Sequence, residues 1–258
     1  MKFLSLAAAL ILSAMPALAR DDKEALLKAT EKAAALESYA FKGETDFQGP
    51  LGKAPAQIPV LDGKFQKDAG LHIKSDRGEI FKKNNRAFLK QGSEDWQDLA
   101  QFQPPPGGNP NRNRGAMFGP MMARNMKAPH EELKELAKGL KEVKKDEKTE
   151  KVGDIECVVY SGDLTDEAMK GSPLGRLIGQ FGGAGAEVKG SAKFWVDLTG
   201  NVVIYEVLTK AAVEFQGNSI DFTLTRRNEI SDSGKVKVEI PEGVQKLLSE
   251  KPKTEDKQ

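Results

Sequence analysis

The sequence predicts an α+β fold in which helices cover the apolar face of a one-sided antiparallel sheet. The last third of the chain alternates apolar and polar residues in successive runs separated by Gly and Asn turns, which is the pattern of strands with one buried face. Two other stretches, near 22–37 and 129–143, repeat apolar residues at helical spacing. These amphipathic helices are expected to provide the covering layer.

The N-terminal half is expected to contain one helix followed by an antiparallel meander. Helical spacing over 22–37 gives way at Tyr39 to a period of two, which indicates a first strand to about Phe47. Turn-forming dipeptides then separate several short apolar runs. Further strands are predicted at 57–67, 71–75, 79–83 and 86–91. Helical spacing returns over 94–102, which indicates a short helix.

The second half begins with a Pro/Gly/Asn/Arg-rich stretch over 103–126 that contains several methionines and is predicted to be a long loop. Pro129 is typical of the first position of a helix, and Thr165 is a candidate N-cap of a shorter one. Strands are predicted around 155–159, 192–196, 202–204, 213–215, 220–224 and 236–240, with a last helix over 242–248. The charged segment 251–258 is predicted to be a disordered tail.

Residues 1–19 have the features of a cleaved secretory signal peptide. Lys2 precedes an apolar run that is too short to span a bilayer, and Ala17 and Ala19 form an A-x-A cleavage site before Arg20. No cysteine follows the cleavage site, so lipid anchoring is not expected. The sequence predicts a periplasmic or secreted protein, with residues 20–250 forming a single β-rich domain.

Composition argues against several functional classes. The 39 Lys and Arg residues nearly balance the 38 Asp and Glu residues, so no strong field attracts nucleic acid. Cys157 is the single cysteine and lies between Ile155 and Val159 on the apolar side of a predicted strand, which favours a buried, unreactive thiol. His72 and His130 have no partners at metal-ligand spacing, and no G-x-S-x-G motif is present. We therefore expect no catalytic residues, no metal and no cofactor, and rank a hydrolase last.

Four stretches of the chain resemble strand and turn motifs of a known family. They are Ser-Tyr-x-Phe-x-Gly at 38–43, Val-Gly-Asp-Ile-Glu-Cys-Val-Val-Tyr at 152–160, Phe-Trp-Val-Asp-x-x-Gly at 194–200 and Val-Glu-Ile-Pro-Glu-Gly-Val at 238–244. With the order of elements over 22–248, the chain resembles the envelope lipid and lipoprotein carriers of the LolA-like half-barrel, and more closely those of the LppX/LprG type. The resemblance implies a strongly curved antiparallel sheet wrapped around a few helices, with a cavity for acyl chains between them.

The cavity reading also follows from a one-sided sheet with an incomplete cover, because such a space suits an apolar ligand. The expected partner is a lipid or lipidated protein, with transient membrane contact as a further possibility and no nucleic acid. Candidate cavity or lid residues are Phe41, Phe47, Leu174, Leu177, Ile178, Phe181, Phe194, Ile204 and Phe222.

Two segments of the chain, and the function as a whole, each have a second interpretation. The stripe from Leu174 to Phe181 lies among glycines spaced every four residues, so it is either a mobile lid helix or ordinary core filler. The pair Arg226-Arg227 is interpreted as a solvated strand end, with contact to an anionic head group as the alternative. The competing function is a non-catalytic periplasmic scaffold or interaction module that acts through the 103–126 loop.

Overall fold

The structure is a computed structural model that describes residues 15–49, 60–101, 120, 123–172, 187–215 and 218–250. The helices are α1 (Met15–Ala34), α2 (Pro129–Gly139), α3 (Asp166–Gly171) and α4 (Glu242–Ser249). The strands are β1 (Ser38–Gln48), β2 (Leu61–Gln66), β3 (Gly70–Ser75), β4 (Gly78–Lys83), β5 (Arg86–Gln91), β6 (Gln97–Asp98), β7 (Lys144–Lys145), β8 (Glu150–Val152), β9 (Ile155–Asp163), β10 (Glu187–Asp197), β11 (Val202–Phe215) and β12 (Asn218–Ser231).

The strands belong to a 12-stranded sheet. Its order is β6-β5-β4-β3-β2-β1-β12-β11-β10-β9-β7, with β8 paired to β9. The pairings whose register is described are antiparallel. The α+β class predicted from the sequence, an antiparallel sheet with a few helices, is confirmed.

The chain groups into two compact units. The first comprises Met1–Leu36, Gly43–Ile58 and Pro129–Ile230, and the second comprises Glu37–Lys42, Pro59–Ala128 and Ser231–Gln258. Strand β1 is therefore divided between them. The single domain expected over 20–250 stays a prediction.

Helices of the first unit cover one face of the β9–β12 strands. Residues directly opposite in an antiparallel pair share a face, and Phe194 lies opposite both Tyr160 and Tyr205. We call the face that carries these three residues the inner face. The Tyr205 hydroxyl donates a hydrogen bond to Glu132 of α2, which places the helices on this side. Leu26 of α1 and Leu133 of α2 are fully buried, as their helical spacing predicts.

A smaller apolar cluster occupies the outer face of the same strands, the face that carries Trp195. It consists of Cys157, Val159, Trp195, Val203 and Ile204, with Val152 packed against it. Cys157 is buried as predicted, and burial raises the pKa of its thiol. Ile155, expected on the same apolar side, is 46% exposed because it follows the turn at the end of the β8–β9 hairpin.

The second unit buries residues on both faces of its meander. Phe81 and Phe88 pair across β4 and β5 and pack with Val238 and with Val244 of α4. A separate cluster formed by Ala87, Leu99 and Ala123 packs with the half-buried Ile80 and Leu89. The Asn84-Asn85 turn has positive φ at both residues, as a two-residue hairpin turn of this hand requires.

The prediction of a short helix over 94–102 is wrong. The described part of that stretch contains strand β6 and a 3₁₀ turn over Leu99–Gln101. The Asp98 carboxylate explains the change, because it accepts a hydrogen bond from the backbone N–H of Ala100 and so stabilises a turn immediately after the strand. Apolar spacing alone did not reveal that local bond.

The strand expected over 236–240 is also wrong, since this segment joins no ladder. Asp232 and Gly234 have positive φ, so the chain leaves the extended conformation between the end of β12 and this segment. The backbone N–H groups of Val236 and Val238 donate to the side chains of Ser38 and Gln66 instead. Side-chain acceptors thus replace the partner strand.

Arg86 ties β5 to the end of α4. Its guanidinium donates to the Asp98 carboxylate at 2.6 Å and to the carbonyl of Leu247 at 2.7 Å, and it lies 5.0 Å from the centre of the Phe88 ring. The last carbonyls of a helix have no partners within the helix, so this contact satisfies one of them. The Asp98 side chain is 3% exposed, which makes the pair a buried one.

Candidate functional site

Three of the residues predicted to bind ligand lie on the inner face of the first unit. Phe194 defines that face, and Phe222 joins it because it pairs with Ala211, an even number of positions from Tyr205. The ring centre of Phe47 lies 5.9 Å from that of Phe222. The structure therefore brings Phe47, Phe194 and Phe222 to one surface.

Other predicted residues lie elsewhere. Ile204 lies on the outer face, since it pairs with Trp195 and packs in the cluster around that ring. Phe41 belongs to the second unit, where its ring covers Gly63 and leaves no room for a Cβ atom there. The placements of Leu174, Leu177, Ile178 and Phe181 are outside the described residues.

On the inner face, burial decreases from strands β10 and β11 to strands β12 and β1. Phe194 and Tyr205 are fully buried. Leu224, Phe222 and Phe47, further along the same face, are half-buried. The apolar surface thus continues past the part that α2 covers, and this end, with Phe47, Phe222 and Leu224, is the candidate site.

Helix α3 covers the intermediate row of this face. Thr165 caps the helix by accepting a hydrogen bond from the backbone N–H of Ala168 at 3.2 Å, as its position predicted. The buried Met169 lies over Gly190, where a Cβ atom would overlap its sulfur. Gly190 pairs with Thr209, one row before Ala211. The chain after α3 enters β10 at Glu187, beside the candidate site.

An ionic cluster lies on the inner face beside the apolar surface. Arg226 pairs with Val207, which places it on the same face as Tyr205, and it donates to Glu132 of α2. The Tyr205 hydroxyl donates to the other oxygen of the same carboxylate at 2.9 Å. Glu132 therefore accepts two hydrogen bonds from the sheet.

Electrostatics favour the charged form of Arg226. Burial by itself would lower the pKa of this guanidinium, but the adjacent Glu132 carboxylate outweighs burial and the pKa lies above its ordinary value. Sequence reasoning missed the role of Glu132 and interpreted Arg226 as a solvated strand end. The available signal was that Arg226 falls in the same two-residue period as Phe222 and Leu224.

An open cleft of about 530 Å³ lies elsewhere in the first unit, lined by mixed charged, polar and apolar residues that include Lys141 and Leu208. Ser161, Lys193 and Glu206, which also line it, pair across the outer face of the sheet. This cleft is distinct from the apolar surface around Phe222.

Both histidines have environments that favour their neutral forms. Burial lowers the pKa of His72 and of His130. His72 is 2.8 Å from Glu79, and its ring contacts Phe81 edge-on in the second unit. Within the described ranges, no group of three or more His, Cys, Asp or Glu residues could hold a metal ion. Nor does any helix there have the length and apolar character needed to cross a membrane.

A comparison with solved structures found several proteins whose folds are similar to that of this chain. LppX, a lipoprotein of Mycobacterium tuberculosis, has a TM-score of 0.48 and 12% identity, with coverage of 85% of this chain and 98% of its own. LprF of Mycobacterium bovis has a TM-score of 0.44 and 12% identity, with coverage of 87% and 97%. A LolA superfamily protein of Nitrosomonas europaea has a TM-score of 0.30 and 9% identity, with coverage of 89% and 97%. No family model and no curated protein matches the chain.

Proposed function

We propose that this protein is an exported, non-catalytic carrier that holds the apolar chains of a lipid or of a lipidated protein. The observation that carries the proposal is the half-buried apolar surface of Phe47, Phe222 and Leu224, which continues the buried inner face of the sheet. These side chains offer contact area to an apolar chain and no group that would act on it chemically.

Acyl chains suit such a surface on energetic grounds. Burial of a methylene group contributes about 0.8 kcal/mol, so a long chain can bind with few polar contacts. A site of this kind leaves no catalytic motif in the sequence. The aromatic pair Phe47 and Phe222 provides wide, rigid faces for that contact.

The first experiment measures uptake of a fluorescent fatty acid by the variant Phe47→Ser with Phe222→Ser. We expect affinity to fall at least tenfold, because two apolar side chains that would contact the chain are lost. The melting temperature should change little, since both side chains are only half-buried in the free protein.

The matched control is Ile155→Ser, which also replaces an apolar side chain that is not fully buried but lies at the β8–β9 hairpin. Its affinity should equal that of the parent protein. Native mass spectrometry of the parent should show co-purified lipid. A parent protein that carries no lipid and takes up no fatty acid would overturn the carrier and favour the scaffold.

If the protein is exported, its N-terminal signal peptide should be removed. Helix α1 begins at Met15, and its buried apolar residues Leu26, Ala29 and Ala33 all follow Ala19, so cleavage after Ala19 keeps these residues in the mature chain. N-terminal sequencing of protein from the periplasm or medium should begin at Arg20. An uncleaved chain extracted from membranes would contradict the proposed export.

A further inference from the structure

We infer that Arg226 is the polar anchor of the candidate site, and that the ligand is an amphiphile whose head group is a carboxylate or a phosphate. The inference rests on the proposed carrier function and names the class of ligand. It follows from the position of Arg226, from its chemistry and from its partner Glu132.

Arg226 lies in line with the apolar surface. Leu224 and Phe222 are two and four residues before it on β12, so all three side chains project from the inner face. At the rise of an antiparallel strand, they lie about 7 Å and about 14 Å from Arg226 along the strand. A molecule with a head group at Arg226 can therefore extend its chain over Leu224 toward Phe222 and Phe47.

The guanidinium is suited to an anionic head group. Its planar fork of donors matches two oxygens of a carboxylate or phosphate, and such charge-assisted bonds are stronger than neutral ones. The Arg226 side chain is 30% exposed, whereas that of Glu132 is 16% exposed. An incoming anion can thus reach Arg226 without first removing α2 from the sheet.

The Glu132 carboxylate lies against the Arg226 guanidinium, where an anionic head group would also bind. Its carboxylate accepts from both Arg226 and the Tyr205 hydroxyl, so these two donors already converge on one anion. In the free protein Glu132 neutralises Arg226 and avoids an unpaired charge on an apolar face. Because Glu132 competes with a ligand carboxylate, its removal should strengthen binding of anions.

Arg227 offers an internal comparison. It follows Arg226 on the same strand but faces outward, where it lies 5.1 Å from the centre of the Trp195 ring and 3.7 Å from Glu206. The two arginines have equal charge and nearly equal position along the chain. Only Arg226 faces the apolar surface.

The experiment compares binding of cis-parinaric acid and its methyl ester, which differ in the head-group charge. The parent protein should bind the acid at least tenfold more tightly than the ester. Arg226→Gln should abolish this preference while retaining ester binding, and Glu132→Gln should increase it. Arg227→Gln should leave both affinities unchanged.

A double variant guards against loss of folding. Arg226→Gln alone leaves Glu132 without its cation, so Arg226→Gln with Glu132→Gln removes both charges. The double variant should fold and bind acid and ester equally. If it keeps the parent's preference for the acid, Arg226 is not the anchor.

The remaining outcomes separate the anchor from the carrier. If the parent protein binds the acid and the ester equally, Arg226 is not the anchor, but the proposed carrier function is unaffected. If the parent protein binds neither compound, both the anchor and the carrier function are overturned. Sodium phosphate should not displace the acid, because a free anion lacks the chain. Full displacement by phosphate would show a small-anion site and overturn the inference.

Discussion

Arg86→Leu is expected to lower the free energy of unfolding by about 3–5 kcal/mol, because it leaves the buried Asp98 carboxylate without its cation. The substitution also removes the donor to the carbonyl of Leu247 at the end of α4. Denaturation with urea, followed by circular dichroism, measures the change. The effect should exceed that of an exposed ion pair such as Lys28 with Glu24, which contributes little.

The control for Arg86 removes the charge that the first substitution leaves unpaired. In the variant Arg86→Leu with Asp98→Asn, the neutral amide oxygen can still accept from the backbone N–H of Ala100. This double variant should recover part of the lost stability. A loss below about 1 kcal/mol for Arg86→Leu alone would show that Asp98 is solvated, contrary to its burial.

Gly162→Ala is expected to cost about 2–3 kcal/mol of stability through steric overlap. A Cβ atom at this inner-face position would overlap the carbonyl oxygen of Glu142, a backbone atom in the connection between α2 and β7. Backbone cannot rotate away as a long side chain can, so the connection must shift.

The matched control is Gly171→Ala at the end of α3, where a Cβ atom would have no heavy atom within 4 Å. Alanine is the better helix former, so this variant should be as stable as the parent or slightly more stable. Chemical denaturation of both variants in parallel makes the comparison. Equal stability of the two variants would contradict the close approach of Glu142 to β9.

The strands of the structure follow largely from local patterns. The two-residue period from Tyr39 to Phe47 lies within β1, and the Asn84-Asn85 pair marks the turn between β4 and β5. A period of two is a property of neighbouring residues, so it is visible in sequence without knowledge of the partner strand. The positions of most strands could therefore be predicted.

The choice of face could not be predicted in the same way. Phe194 is followed by Trp195, and Ile204 has apolar or aromatic residues on both sides, so neither run alternates strictly, and the two residues lie on opposite faces of the sheet. The register shifts between Trp195 and Val196, and the outer face carries its own apolar cluster, so alternation gives no sign of which side is inner. Only the pairing with β11 decides it.

The ionic cluster depends on contacts that are remote in sequence. Glu132 and Arg226 are separated by 94 positions and belong to a helix and a strand. Their pairing needs the packing of α2 on the inner face, which no local motif specifies. The same limit applies to Val236 and Val238, whose hydrogen-bond partners Ser38 and Gln66 lie far back in the chain.

The placement of the two tryptophans gives each compact unit its own intrinsic fluorophore. Trp195 of the first unit is shielded on the outer face, with its indole N–H donating to Glu150 at 2.7 Å. Trp96 of the second unit packs against α4, and its ring centre lies 6.2 Å from that of His72. Replacing either with Phe leaves an emission signal from one unit alone. Melting curves of the two variants would therefore report separately on the units, and coincident transitions would mark a single cooperative domain.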